Sequence, residues 1–167
     1  MSWMASMRLL AAVSALLAVS VFAADTIKIA HIDPLSGPFA LQGESGSRHI
    51  QAAIDEINAR GGVLGGIRLE MVELDNKSSP QESLVALKQA IDQGIHYITQ
   101  GNGSHVGHAL SEGVLKHNQR NPGNEVIYLN HAAIDPALTN EKCNFWHFRF
   151  DGSVDMKVDA LTAAIAK

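Results

Sequence analysis

Two kinds of hydrophobic spacing take turns along most of this chain. "TIKIAHI" (26–32) is a compact, β-branched run that stops at the turn residues "DPLSGP", as a strand does. Ile50, Ala53, Ile54 and Ile57 then recur at helical spacing, and Gly61 and Gly62 suit a helix end. "IRLEMVELD" (67–75) returns to a period of two, a second strand. Ser79 before Pro80, with Glu82 three positions on, reads as a capping box that opens a second helix. Its expected buried face is Leu84, Leu87 and Ile91. "IHYIT" (95–99) predicts a third strand, and Val106, Ala109, Leu110 and Val114 a third helical face. "EVIYLN" (125–130) and "FWHFRF" (145–150) predict two more strands, and Val154, Val158, Leu161 and Ile165 a fourth helix.

Strands alternating with helices require crossover connections. The expected architecture is therefore α/β: a Rossmann-like, three-layer parallel sheet with helices on both faces. Ligands of such sheets bind beyond the carboxyl ends of the strands. Three turns stand there: "DPLSGPFALQGE" (33–44), "QGNGSHVGH" (100–108) and "NHAAIDPAL" (130–138). Asp33 is expected to fix the turn after the first strand, and Asp75 to sit at the rim. His31 and His96 fall in strands and read as satisfied core or edge histidines. The aromatic run reads as a buried strand, with Trp146 and Phe148 on one face and Phe145 and His147 on the other, and Arg149 pairing nearby.

The first residues follow a different pattern. Arg8 precedes an uncharged apolar run (9–24) shorter than the roughly 20 residues that cross a bilayer. Val21 and Ala23 give the small residues read by signal peptidase, so 1–23 is expected to be an export signal cleaved near Ala23, with 24–167 as the folded part. Net charge is −4 with scattered Lys and Arg, and the absence of a basic stripe argues against a nucleic-acid partner. Cys143 is the single cysteine. In an oxidising compartment it is either a buried or half-buried thiol or one whose partner lies outside this chain.

The stretch "GNGSHVGHAL" (101–110) admits three chemistries. A dinucleotide loop needs G-x-G-x-x-G after the first strand, but Gly101, Gly103 and Gly107 have another spacing and follow the third. His105 and His108 share a helical face and reach one ion together, yet no Cys pair or nearby carboxylate completes a metal shell. An anion cradle asks less: free backbone amides and the positive dipole end of a helix that begins at Ser104, a hydroxyl there, and glycines at 101 and 103 that let a ligand approach. The bland alternative is that Ser104 caps its own helix.

The segment from "IKIAHIDPLSGP" through "AIDEINARGGVLGG" to "DNKSSPQ" resembles the opening of the type I periplasmic binding proteins of the leucine/isoleucine/valine-binding class. That resemblance runs from about Thr26 to the end. It implies two α/β lobes closing on a ligand, of which this sequence holds most of the first, so that it reads as truncated. It also implies export to the periplasm, non-covalent binding without a cofactor, and delivery to the permease subunits of an ABC importer, with the membrane met through the permease.

By the same resemblance Ser104 matches the residue that holds the ligand's carboxylate. Ala132 and Ala133 match the backbone donors and acceptors after the fourth strand, and Gln42 matches the first-loop side chain that covers the ligand. Gly103 and His105 flank Ser104 in the cradle. At Ile134 the amino-acid binders carry threonine, whose hydroxyl helps hold the amino-acid head group. Isoleucine cannot replace that bond, and an unpartnered ammonium is costly. The resemblance implies a branched-chain amino acid or a related carboxylate as ligand, and Ile134 makes an α-amino acid less comfortable here than in the typical member. An aromatic acid, with His105 or His131 nearby, is the variant reading, and a hydrolase using the histidine-rich loop is the competing class.

Overall fold

A computed structural model describes residues 26–166. The expected leader, 1–23, lies outside the described residues. The remainder forms five strands and four α-helices in strict alternation until the end of the fourth strand: β1 (Thr26–Asp33), α1 (Ala40–Ala59), β2 (Arg68–Asp75), α2 (Pro80–Asp92), β3 (Tyr97–Gln100), α3 (Ser104–Arg120), β4 (Ile127–Asn130), β5 (His147–Arg149) and α4 (Val154–Ile165). All neighbouring strands are parallel, in the order β2-β1-β3-β4-β5. The step from β1 to β2 runs one way across the sheet and the steps from β2 to β3 to β4 run the other. Right-handed crossovers then put α1 on one face and α2 with α3 on the opposite face. The fold class read from the sequence is the fold observed.

The two faces are unequal. Ala30 and Ile32 of β1 join Leu74, Ile98, Tyr128 and the inner residues of α2 and α3 in the apolar core. Their neighbours His31 and Asp33, pointing the other way by strand alternation, lie fully buried beneath α1. Little of α1 is buried: Gly43, Ser47 and Ile54. Gly43 sits against the Pro34 carbonyl with no room for a Cβ, so glycine there lets α1 settle close to the end of β1.

Asparagines tie helices to the strands that follow. Asn58 of α1 gives to the Leu69 carbonyl (2.8 Å) and accepts the Leu69 amide (2.9 Å). Asn118 of α3 does the same with Val126, at 2.8 Å each way. At α2, Ser79 accepts the Glu82 amide, but the Glu82 carboxylate turns to Lys77 instead of closing the box.

Several expectations about faces need correcting. Leu84 is half exposed while Ala86, Leu87 and Ala90 fill the core, because α2 packs against α3 as well as the sheet and Leu84 lies at the outer edge of that contact. β5 is an edge strand, not a buried one. Trp146 packs on the core and His147 is buried, but Phe145 and Phe148 are exposed. Cys143 is exposed. The periodic face of α4 exists, yet Val158, Leu161 and Ile165 are all more than half exposed. No helix of the described residues is long and apolar enough to cross a membrane.

Candidate ligand-binding site

Each loop at the carboxyl rim is fastened by a polar residue at the end of a strand. Asp75 of β2 accepts the amides of Leu35 and Lys77, both at 2.9 Å, and the Ser36 hydroxyl at 2.5 Å, which anchors the loop leading to Gln42. Burial alone would raise the Asp75 pKa; the bonds from Ser36, Leu35 and Lys77 outweigh it and hold the carboxyl below its usual range. Asp33 of β1 reaches sideways to the loop after β3. Its Oδ1 accepts the amides of Gly101 (3.3 Å) and Asn102 (3.0 Å), and its Oδ2 accepts the Asn102 side chain (3.1 Å). The Asp33 carboxylate thus fixes the turn after β3 and not, as expected, the turn after its own strand, which Asp75 holds. Gln100 of β3 takes the Tyr128 hydroxyl and gives to the Asn102 carbonyl at 2.7 Å. Burial pushes the Tyr128 phenol far up, and Asp33 adds to it, so this hydroxyl stays a donor.

These bonds hold the front of α3. Gly103 is its N-cap at φ +89, and a Cβ there would press on the His105 ring at 2.8 Å; the left-handed backbone and the ring both require glycine. Ser104 is the first helical residue, not the cap of its own helix. Its Oγ instead accepts the Asp135 amide at 3.2 Å, stitching α3 to the loop after β4. Among the described residues, the Ser104 hydroxyl hydrogen and the amides of Ser104 and His105 have no acceptor. Three donors thus stand at the positive end of a helix dipole.

Beside them lies a cavity of about 210 Å³ lined by Phe39, Gln42, Ser78, Asn102, Gly103 and His105. The structure therefore brings Gln42, Gly103 and His105 to one hollow, with Ser104 at its edge by sequence. Ala132, Ala133 and Ile134 are in the adjoining loop and do not line this hollow. The Ala132 and Ala133 amides, expected as ligand donors, are both taken by Asn130 Oδ1, at 3.1 and 2.7 Å. The Ala133 carbonyl accepts the Asn130 side chain, and the Ile134 carbonyl accepts the Val154 amide. Among the described residues, what that loop leaves unengaged is the Ala132 carbonyl, the Ile134 amide and the Ile134 side chain.

The two histidines of "GNGSHVGHAL" (101–110) diverge. His105 Nε2 bonds the Ser78 carbonyl at 3.0 Å, and His108 Nε2 bonds Asp135 Oδ2 at 2.7 Å. The His108 bond, then the Ala137 amide, hold the Asp135 carboxyl below its usual range. Through Nε2 the two rings thus turn to different partners, and neither is hydrogen-bonded to the Ser104 hydroxyl as a base would be to a nucleophile. Among the described residues no group of three His, Cys, Asp or Glu is placed to hold a metal.

One cluster escaped the sequence reading. His31 is completely buried, and neither ring nitrogen has a hydrogen-bond partner. It was expected to be satisfied. Its Nε2 lies 3.6 Å from Asp33 Oδ2, and His131 Nε2 lies 3.5 Å from the same oxygen. His131 Nδ1 meets the Thr99 hydroxyl at 3.2 Å. The signal was present: His31 and Asp33 are two apart in a strand and must share a face.

A family profile described as "Periplasmic binding protein" matches residues 26–167. The chain is 39% identical over 127 residues to "Leu/Ile/Val-binding protein homolog 4" of Brucella abortus, covering 76% of this chain and 30% of that protein. It is 28% identical over 116 residues to the "Leu/Ile/Val-binding protein" of Escherichia coli, covering 70% and 29%. Among solved structures, the leucine-, isoleucine-, valine-, threonine- and alanine-binding protein from Brucella ovis, in a closed conformation, matches with a TM-score of 0.73 at 38% identity, over 78% of this chain and 33% of the other. This chain thus spans about a third of the length of its relatives. With the profile covering all the described residues, the chain belongs to the type I periplasmic binding proteins, in the leucine/isoleucine/valine-binding class.

Proposed function

We propose that this chain is ligand-binding sequence from the solute receptor of an ABC importer for branched-chain amino acids or related carboxylates. It would act in the periplasm after export on residues 1–23 and pass its ligand to permease subunits. In this reading 24–167 is the first of two lobes, and the ligand lies between them without covalent chemistry. One observation carries it: the Ser104 hydroxyl hydrogen and the Ser104 and His105 amides, at the front of α3, have no acceptor among the described residues and adjoin in sequence the hollow lined by Gln42, Gly103 and His105. A carboxylate is the partner such a set fits, since it accepts several hydrogen bonds at once and is favoured by the dipole. Gln42 would cover the ligand, and the Ala132 carbonyl would take a donor from it, with the Ala133 and Ile134 backbone held rigid behind.

Ile134 favours a second ligand reading. An α-amino acid needs acceptors for its ammonium, and isoleucine supplies none, whereas an aromatic acid has no ammonium to satisfy. Phe39 and His105 at the hollow suit a flat ring. Calorimetric titration with L-leucine and with benzoate separates the two. Leucine binding that Ile134→Thr strengthens supports an amino-acid receptor limited by this position, and benzoate binding that Ile134→Thr leaves intact or weakens supports the aromatic reading. Turnover of either compound would overturn the receptor assignment.

A further inference from the structure

The loop that presents Gly103 and Ser104 is fastened to one buried carboxylate, and that carboxylate stands between two imidazoles. We propose that the His31–Asp33–His131 cluster makes ligand capture at the front of α3 sensitive to protons, by competing with Asn102 for Asp33 Oδ2. This deepens the receptor reading above and rests on it.

At neutral pH Asp33 takes its bonds from uncharged donors: two amides on Oδ1 and the Asn102 side chain on Oδ2. The imidazole nitrogens stand off at 3.6 and 3.5 Å, outside a charged hydrogen bond of roughly 2.7–2.9 Å. A proton on the pair changes the ranking. An imidazolium attracts Oδ2 more strongly than a neutral amide does, and closing the gap draws the oxygen away from Asn102. Asn102 lines the hollow and is followed directly by Gly103 and Ser104, so losing its side-chain bond leaves the loop on its Oδ1 and Gln100 bonds alone and loosens the donors offered to a carboxylate.

The surroundings leave this pair few other partners. β2 brings Glu73, registered opposite His31 and exposed; β4 brings Tyr128, whose hydroxyl is committed to Gln100; β3 brings Thr99 to His131. From above, α1 presents Gly46, where a Cβ would lie 3.6 Å from His31 Nε2 and 3.7 Å from His131 Nε2. Burial holds both imidazoles below the ordinary range while Asp33 pulls them up, so the proton arrives under acidic conditions.

The test is nuclear magnetic resonance of the ¹⁵N-labelled full chain from about pH 8 to about pH 4.5, paired with L-leucine and benzoate titrations over the same range. The Gly101, Asn102 and Ser104 amides should titrate with one midpoint, shared with the His31 and His131 ring signals. Affinity for whichever carboxylate binds should fall about tenfold across it. His131→Gln, at the half-exposed member, and His31→Leu should each shift or abolish the amide titration. Loop amides that stay fixed while the rings titrate, rings that do not titrate before acid unfolding, or an affinity flat with pH would each overturn the proposal. If the amides titrate as expected but neither carboxylate binds at any pH, the ligand reading fails while the proton-driven loosening of the loop stands.

Discussion

Ser104 and Asp135, 31 positions apart, meet through a single hydrogen bond in which the Asp135 amide gives to the Ser104 hydroxyl at 3.2 Å. The bond uses the oxygen's lone pair and leaves its hydrogen to donate. One side chain therefore fixes the loop after β4 and, in the proposed reading, still has a hydrogen to give to a ligand. Ser104→Ala removes both roles. A carboxylate ligand should lose about 1–3 kcal/mol of affinity by calorimetry, roughly 5- to 150-fold. The unliganded chain should lose about 0.5–1.5 kcal/mol in denaturant unfolding. Full affinity in the variant would take Ser104 out of the site.

Gly103→Ala tests the geometry just before it. At φ +89 alanine is strained, and its methyl meets the His105 ring. The ring must leave the Ser78 carbonyl to make room. The expected result is a stability loss of about 1–2 kcal/mol, with a changed His105 ring signal by nuclear magnetic resonance. A variant as stable as the parent with His105 unmoved would contradict the placement of this turn.

How far the sequence foretold this site depends on the separation of the partners. Strand and helix positions were legible because periodicity is local: β1, β2 and α3 begin or end within a residue or two of where spacing put them. The clamps were not legible. Asp33 to Asn102 spans 69 positions and Leu35 to Asp75 spans 40, and nothing short-range says which acid will serve which loop. Equally hidden was the asymmetry of β1, since alternation says His31 and Asp33 share a face but not that the helix over them buries only Gly43, Ser47 and Ile54. The face of α4 shows the same limit: its spacing announced an apolar stripe and said nothing about what, if anything, packs on it.

Asn118 offers a test of the fold apart from the ligand. It is the buried bidentate partner of the Val126 amide and carbonyl, both at 2.8 Å. Asn118→Ala leaves those two backbone groups unpaired at the entry to β4. About 2–4 kcal/mol should be lost in guanidinium unfolding. Asn118→Asp should recover part of this by keeping the acceptor for the Val126 amide. A loss below half a kcal/mol for the alanine variant would mean that water replaces the side chain there.

Buried histidines should also set the acid limit of the fold. Burial lowers the pKa of His31 against the pull of Asp33, and burial likewise lowers His131 and His147. In the unfolded chain each returns to about 6.5. Above that value both states carry neutral rings and stability is at its full level. As pH falls through it, the unfolded chain takes up protons that the native state refuses, so stability falls, at up to about 1.4 kcal/mol per pH unit for each such ring. Once the native values are passed the two states bind protons alike and these rings add no further loss. Unfolding midpoints should therefore drop as pH falls below about 6.5, the unfolded value. His31→Leu should flatten part of that drop, because the unfolded variant has one site fewer to protonate. An unchanged slope in His31→Leu would show that the buried ring takes up its proton as readily in the native state as in the unfolded chain, contrary to the lowering by burial.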